Sequence, residues 1–325
     1  MAVVTLNEVR RLLACPRCRS ALLAEPDAYR CASPGCRYHA RGAFPVIGRW
    51  PLLVDFDRSV LRREALEPAT ERAGRTVRGN TPRPAIDRLP APLRLLWKPL
   101  NRVAVRNVDR LLRLLPGPAP TVLVVGGATV GNGVSAVYAE PRARVIGFDI
   151  TASPVTQFVA DAHQIPLAER SVDAVLVQAV LEHVLDPGRV VAEIHRVLTD
   201  DGLVYAETPF LQQVHAGAYD FARYTASGHR YLFRWFDEID AGPVAGPGTG
   251  LLWSVDHLVR GLARSALAGR LVRGLLFWLR YLDALVPARY AADNASAYYF
   301  LGRKRDREMS PEEIVGYYRG AQDAG

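Results

Sequence analysis

From Thr121 onward the chain alternates short, wholly apolar runs with stretches of helical periodicity, and that alternation narrows the possible folds more than any other feature. TVLVVG, ARVIGFDI and VDAVLVQAV read as buried strands, and LVYAETP as another. Between the last two, DPGRVVAEIHRVLTDDG reads as an amphipathic helix closed by glycine. Strands covered on both faces lose the polar alternation of a half-exposed strand, and parallel neighbours need a crossover between them. The sequence therefore predicts an α/β protein with a doubly wound, mostly parallel sheet.

The rest of the 325 residues changes texture in blocks. Residues 1–57 hold all four cysteines and end in the apolar run FPVIGRWPLLVDF. Residues 58–99 are rich in arginine and proline around GNTPRPAIDRLPAP, which reads as a connector because proline denies the backbone helical hydrogen bonds. Residues 100–250 form the core; they open with a helix over Leu100–Leu115 and close in AGPVAGPGTG, which reads as a loop. Residues 251–288 are apolar but punctuated by Arg260, Arg264, Arg270, Arg273 and Arg280, predicting two helices broken near Gly269. Residues 289–325 supply a last strand, SAYYFLGRK, and a short helix, PEEIVGYYRG.

A balance of 41 basic against 33 acidic residues permits a nucleic acid or an anionic membrane as partner and demands neither. No run of roughly 18 uncharged apolar residues occurs, so no transmembrane span is expected. The opening MAVVTLNEVRRLLACPRC lacks the ordered regions of a signal peptide. A cytoplasmic location is expected, with peripheral membrane contact through residues 251–286 left open.

Cys15-Pro-Arg-Cys18 is followed by Cys31-Ala-Ser-Pro-Gly-Cys36. Two short-spaced pairs about a dozen residues apart suit a structural, tetrahedral zinc ion, because each tight turn aims two thiolates at one point. So short a segment buries little core, and metal binding supplies folding energy. Two disulfides or four unrelated thiols are the competing reading, and His39 could replace one cysteine. The pattern CPRC…YRC…GC…FPVIGRWPLLVD resembles, over about forty residues, the small zinc-ribbon proteins that activate tRNA and protein methyltransferases. That resemblance implies a methyltransferase partner, here within the same chain.

TVLVVGGATVGNGV is a strand entering a glycine-rich turn and then a helix. Such a turn lets a ligand approach the backbone closely, although a tight turn alone would account for it. The next strand ends at Asp149, placed to accept hydrogen bonds from both ribose hydroxyls of a nucleotide; a solvated or helix-capping aspartate is the alternative. DAHQIPL, SVDAVL, LEHV and EIHRVLTDDG then follow in order. As a combination they closely resemble class I S-adenosylmethionine-dependent methyltransferases of the broad type 11 group, over roughly residues 120–240. The resemblance implies a Rossmann-like fold and S-adenosylmethionine as cofactor. It implies that Gly126 and Gly127 pass beneath the methionine part, that Asp149 holds the ribose, that Asp161 and Ala162 meet the adenine, and that Gln178 lines the cofactor. A nicotinamide enzyme is the rival within this architecture, but DAHQIPL and LEHV do not belong to it.

The chain departs from that family in two places. Val124 stands where an acidic residue is usual, two positions before the first glycine, and GGATVGNG is irregular. Only twelve positions separate Asp149 from Asp161, which predicts a loop in place of the usual helix there.

For an acceptor, the densest polar text is TPFLQQVHAGAYDFARYTASGHRYLF, with His215, Tyr219, Asp220, Arg223, Tyr224 and His229. His215 is expected as general base, with Asp220 and Arg223 orienting it or the substrate; an internal network pinning the loop is the alternative. Glu182-His183 matches part of the E-x-x-E-H text of some magnesium-dependent methyltransferases. Ala179 replaces the first glutamate, so capping and packing at a helix start is the expected role. The expected acceptor is a small molecule or a lipid- or sugar-linked metabolite. RNA is kept as a second acceptor class, through the zinc ribbon and the arginines between Arg58 and Arg113, although that segment has little aromatic interleaving. A non-catalytic scaffold of the same fold is the third reading.

Overall fold

The computed structural model describes residues 2–40, 42–78 and 99–322. The proline-rich centre of the connector therefore lies outside the described residues. Its first part contains a helix, Arg63–Arg78.

The strands, in chain order, are β1 (Leu22–Ala24), β2 (Ala28–Cys31), β3 (Phe44–Ile47), β4 (Trp50–Leu53), β5 (Thr121–Val125), β6 (Arg144–Asp149), β7 (Phe158–Ala160), β8 (Val172–Gln178), β9 (Leu198–Pro209), β10 (Phe236–Ala245) and β11 (Ala297–Lys304). They join in one sheet ordered β1-β2-β3-β4-β7-β6-β5-β8-β9-β11-β10. The pairings from β4 through β9 are parallel. The two ends, β1 to β4 and β9-β11-β10, are antiparallel. After β5 the chain builds outward to β6 and β7 on one side, then crosses to β8 on the other. That reversal opens a crevice at the carboxyl ends of β5 and β8, where sheets of this kind bind ligands.

Residues of β5 alternate between two cores. Val122 and Val124 meet Ala104, Val108, Leu111 and Leu112 of the helix Arg102–Leu114. Leu123 and Val125 face the side covered by Val190, Val191, Ile194 and Val197 of the helix Pro187–Val197. The cysteine segment shares this second core: Val9, Leu13, Cys15, Leu22 and Tyr29 belong to the same apolar cluster as Leu123 and Phe148. Its last strand, β4, pairs Leu52 with Val159 and Leu53 with Ala160. No helix lies between β6 and β7, as the short spacing predicted. Trp50 secures the loop instead, its indole N–H donating to the carbonyls of Ser153 and Thr156 at 3.1 and 3.0 Å.

Three boundaries differ from the sequence reading. Residues 241–245 continue β10 rather than forming a loop, with Gly242 opposite Tyr299 and Pro243 opposite Tyr298; proline is tolerated because β10 is an edge strand. The apolar helices break at Arg264–Ser265, not near Gly269. Ser265 caps the second helix by accepting from the Ala268 N–H, whereas Gly269 sits inside that helix because a Cβ there would lie 2.2 Å from Asp256. The helix after Asp186 ends at Val197, and Gly202 belongs to β9.

Candidate active site

The crevice at the reversal point has a volume of about 210 Å³. Its walls are apolar, from Val60 and Leu61 through Val125, Phe148 and Ile150 to Val180, Val184 and Leu185. Two carboxylates interrupt them, Asp149 at the end of β6 and Asp161 just after β7. Apolar walls with two polar anchors on neighbouring strand ends suit a flat heterocycle carrying a sugar. Asp149 is held by the backbone: Oδ2 accepts from the Ala128 N–H at 3.1 Å and Oδ1 from the Thr151 N–H at 2.9 Å. Burial raises its pKa. Burial would also raise Asp161, but hydrogen bonds from His163 and Ser59 outweigh it and hold Asp161 below the usual carboxylate range. The His163 ring lies 2.6 Å from Asp161 Oδ1, and its Nε2 accepts from the Asp186 N–H at 3.1 Å. Nδ1 therefore carries the hydrogen donated to Asp161. Ser59 donates to Oδ2, so the segment following the cysteines supplies part of the crevice.

Gly126 and Ala162 line the crevice; Gly127 and Gln178 do not. Gly126 has φ +71°, and a Cβ there would meet a Val180 methyl at 2.2 Å, so no other residue fits without movement. Gly127 packs instead over Val124 and Gly147. Gln178 turns beneath the glycine-rich turn, where its amide donates to the Asn132 carbonyl at 3.0 Å and to Glu207 Oε2 at 2.7 Å. Glu207, near the end of β9, also accepts from the Asn101 amide at 2.9 Å and from Tyr205. Burial raises the pKa of Glu207. Gln178 is thus drawn from the crevice by a buried carboxylate that the sequence reading did not single out. The available signal was a charged letter inside the apolar run LVYAETP.

At the mouth, Glu182, His183 and His215 converge, with one ligand-capable atom of each lying within 4.8 Å of the others. Glu182 is fully buried, yet neither carboxylate oxygen has a hydrogen-bond partner. It therefore does not cap a helix, contrary to the sequence reading, and burial pushes its pKa up to about 7. His183 Nδ1 lies 2.7 Å from the Tyr219 carbonyl, so it donates there and leaves Nε2 facing Glu182 at 3.7 Å. His215 directs Nδ1 to the Gln213 carbonyl at 3.3 Å and Nε2 toward Glu182 at 3.9 Å. The two rings meet edge to face with centroids 4.8 Å apart. Asp220 accepts from the His215 N–H at 2.9 Å and from Arg223, and the guanidinium holds Asp220 well below the usual carboxylate range. Arg223 is further tied to the Gln212 carbonyl at 3.0 Å. Asp220 and Arg223 therefore fix the loop that carries His215. His229, from the same polar run, is buried away from this site.

The four cysteine sulfurs also lie within 4.8 Å of one another. Cys15 and Cys36 are 3.9 Å apart, Cys18 and Cys31 3.3 Å, and all four are free. A tetrahedron with bonds of roughly 2.3 Å has edges of about 3.8 Å, so the donor set fits one zinc-sized ion. His39 turns away, its Nδ1 2.8 Å from the Cys31 carbonyl.

Residues 127–206, from the glycine-rich turn to the middle of β9, match the family model of a methyltransferase domain. This stretch of the chain is similar to a methyltransferase domain. A curated relative, the uncharacterized 37.1 kDa protein in transposon TN4556 of Streptomyces fradiae, is 31% identical over 106 residues. The match covers 28% of this chain and 31% of that protein, so the chain spans about a third of the relative's length. Among solved structures, the phosphoethanolamine N-methyltransferase 2 of Haemonchus contortus in complex with S-adenosyl-L-methionine superposes with a TM-score of 0.42 at 16% identity, covering 62% of this chain and 52% of that one. The 1,6-didemethyltoxoflavin-N1-methyltransferase of Burkholderia thailandensis gives 0.38 at 17%, covering 65% and 81%. A chain of the complex between the Haloferax volcanii Trm112 methyltransferase activator and a methyltransferase gives 0.40 at 15%, covering 65% and 96%.

Proposed function

We propose that this protein transfers a methyl group from S-adenosylmethionine to a small-molecule or lipid- or sugar-linked acceptor. One observation carries the reading: within and beside the methyltransferase domain, Asp149 and Asp161 stand on neighbouring parallel strand ends in a single apolar crevice. Asp149, its oxygens oriented by two backbone N–H groups, would hold the ribose hydroxyls. Asp161 Oδ1 is engaged by the backbone and ring of His163, but Oδ2, which accepts from Ser59, keeps a lone pair and would accept from the adenine amine, with Ala162 beside it. Gly126 leaves room for the methionine end. The cofactor supplies an electrophilic methyl carbon, so the chain's own task is to align the acceptor and exclude water. His183 and His215 stand over the mouth with acceptor nitrogens free, and Asp220 and Arg223 position the loop. Cys15, Cys18, Cys31 and Cys36 would hold a structural zinc ion, since four thiolates leave no position for substrate.

The surface of residues 247–285 supports an apolar or membrane-borne acceptor. Leu258, Leu262, Leu271, Leu275 and Leu285 are exposed there, with arginines interspersed. Among the described residues no helix is long and apolar enough to cross a membrane. RNA is less well supported, because Arg110 pairs with Asp240 at 3.3 Å, Arg113 pairs with Asp109, and Arg106 donates to Tyr299 at 3.0 Å.

A thermal-shift titration with S-adenosylhomocysteine tests the reading. The full-length chain should melt higher with the ligand, by an amount that grows with its logarithmic excess over Kd, and Asp149→Ala should lose most of that gain. Equal melting with and without ligand would favour the scaffold reading. Labelled methyl transfer into lipid, RNA, protein and small-molecule fractions then sorts the acceptor classes.

A further inference from the structure

We propose that Glu182, His183 and His215 form a second metal site, specific for a divalent transition-metal cation and separate from the four cysteines. Three features of the geometry converge on it. A fully buried carboxylate has both oxygens without a hydrogen-bond partner, which is rare because such a group loses its hydration without replacement. Two imidazoles present Nε2 to that carboxylate at 3.7 and 3.9 Å, too far for hydrogen bonds but close enough for a shared ion. Each ring also gives its other nitrogen to a backbone carbonyl, Tyr219 for His183 and Gln213 for His215. That arrangement fixes the tautomer in which Nε2 is unprotonated, and it is the usual outer support of a metal-bound histidine.

The donor set decides the class of ion. Two imidazole nitrogens and one carboxylate suit zinc, cobalt, manganese or ferrous ions, whereas magnesium and calcium prefer oxygen ligands throughout. Ala179 adds no donor, so the site is three-coordinate from the protein and leaves positions for exogenous oxygen or nitrogen ligands. His183 lines the crevice as well as the cluster, so the ion sits at the crevice edge. The ligand atoms are spread somewhat wider than the roughly 3.3 Å edge of a tetrahedron with bonds of about 2.0–2.1 Å. The half-exposed loop bearing His215 closes the difference. In this assignment Nε2 of His215 is a metal ligand and not a proton acceptor.

The site does not depend on methyl transfer, and its test does not use activity. In equilibrium dialysis of the full-length chain against micromolar zinc chloride, the wild type should hold one more equivalent than His215→Ala or Glu182→Gln. Cys18→Ser should lose a different, independent equivalent. Added zinc should also raise the melting temperature of the wild type and leave His215→Ala unmoved beyond the response both share. Glu182→Gln is judged only with its cysteine-bound equivalent intact, as proof of folding; His215→Ala, on a partly exposed loop, carries the test otherwise. Equal zinc stoichiometry in wild type and His215→Ala would overturn the proposal, whatever the cofactor titration shows.

Discussion

His229 lies in the same polar run as His215, ten residues further on from Tyr219, but its ring is packed edge-on to Phe233 with Nε2 3.1 Å from the Thr208 hydroxyl. Burial lowers its pKa from 6.5 to about 3. The unfolded chain therefore takes up the proton first. The stability this neutral ring contributes is complete above about pH 6.5 and is lost as pH falls toward 3. Between those limits the loss approaches roughly 1.4 kcal/mol per pH unit from this one group. Urea unfolding of the wild type and His229→Gln at several pH values should give a shallower acid limb for the variant; parallel limbs would remove the assignment. The contrast with Asp149 shows what single letters convey. An acid closing an apolar strand marks a crevice-facing position because the strand fixes where its end lies. Nothing in the letters distinguishes His229 from His215, because their burial depends on how residues 210–236 fold back. Gln178 was misplaced for a similar reason: its side of β8 was legible, but not its partner Glu207, one strand over.

At the scale of elements, the parallel strands and the helices Arg102–Leu114 and Pro187–Val197 were legible because burial on both faces, or on one stripe, leaves a periodic trace. The helices beyond residue 246 were legible as apolar but not in their boundaries, which depend on distant caps. Gly246-Pro-Gly-Thr249 enters the helix Pro247–Ala263 without a side-chain cap of its own. Asp283 supplies one from 34 residues or more away: Oδ1 accepts from the Gly248 N–H at 2.7 Å, and Oδ2 from the Gly246 N–H at 3.0 Å and the Thr249 hydroxyl at 2.6 Å. With the Thr249 N–H at 3.3 Å, a carboxylate on four N-terminal donors also meets the positive end of the helix. Asp283→Ala should cost about 1–2 kcal/mol, with amides of residues 246–252 losing exchange protection first. Asp283→Asn should cost less, since one oxygen still accepts. Unchanged exchange in that helix would show that packing, not the cap, sets its start.

Over the whole molecule, the cysteine segment and the strands β5 to β9 share one sheet and the apolar core on one of its faces. β4 extends the parallel strands, Val3 bridges Val145 and Leu13 bridges Leu167, and the Arg58 carbonyl accepts from the Gln164 amide at 2.8 Å. The resemblance of the cysteine pattern to separate activator proteins implied a partnership within the chain; what no local pattern conveys is that its last strand pairs with β7 in the parallel sheet. Cys15 and Cys31 are themselves buried members of the shared core, so an ion held by the four cysteines would support the sheet directly. Removing that ion should therefore act at a distance. Cys31→Ser should lower the melting temperature of the entire chain in one transition, and it should weaken S-adenosylhomocysteine binding, because β4 leads directly to Ser59 on Asp161. Scanning calorimetry with and without the ligand reads both effects. Two separate transitions, the upper one keeping the full ligand-induced shift, would mean that the crevice is built without help from the cysteine segment, and that the continuity of the sheet carries no energetic coupling.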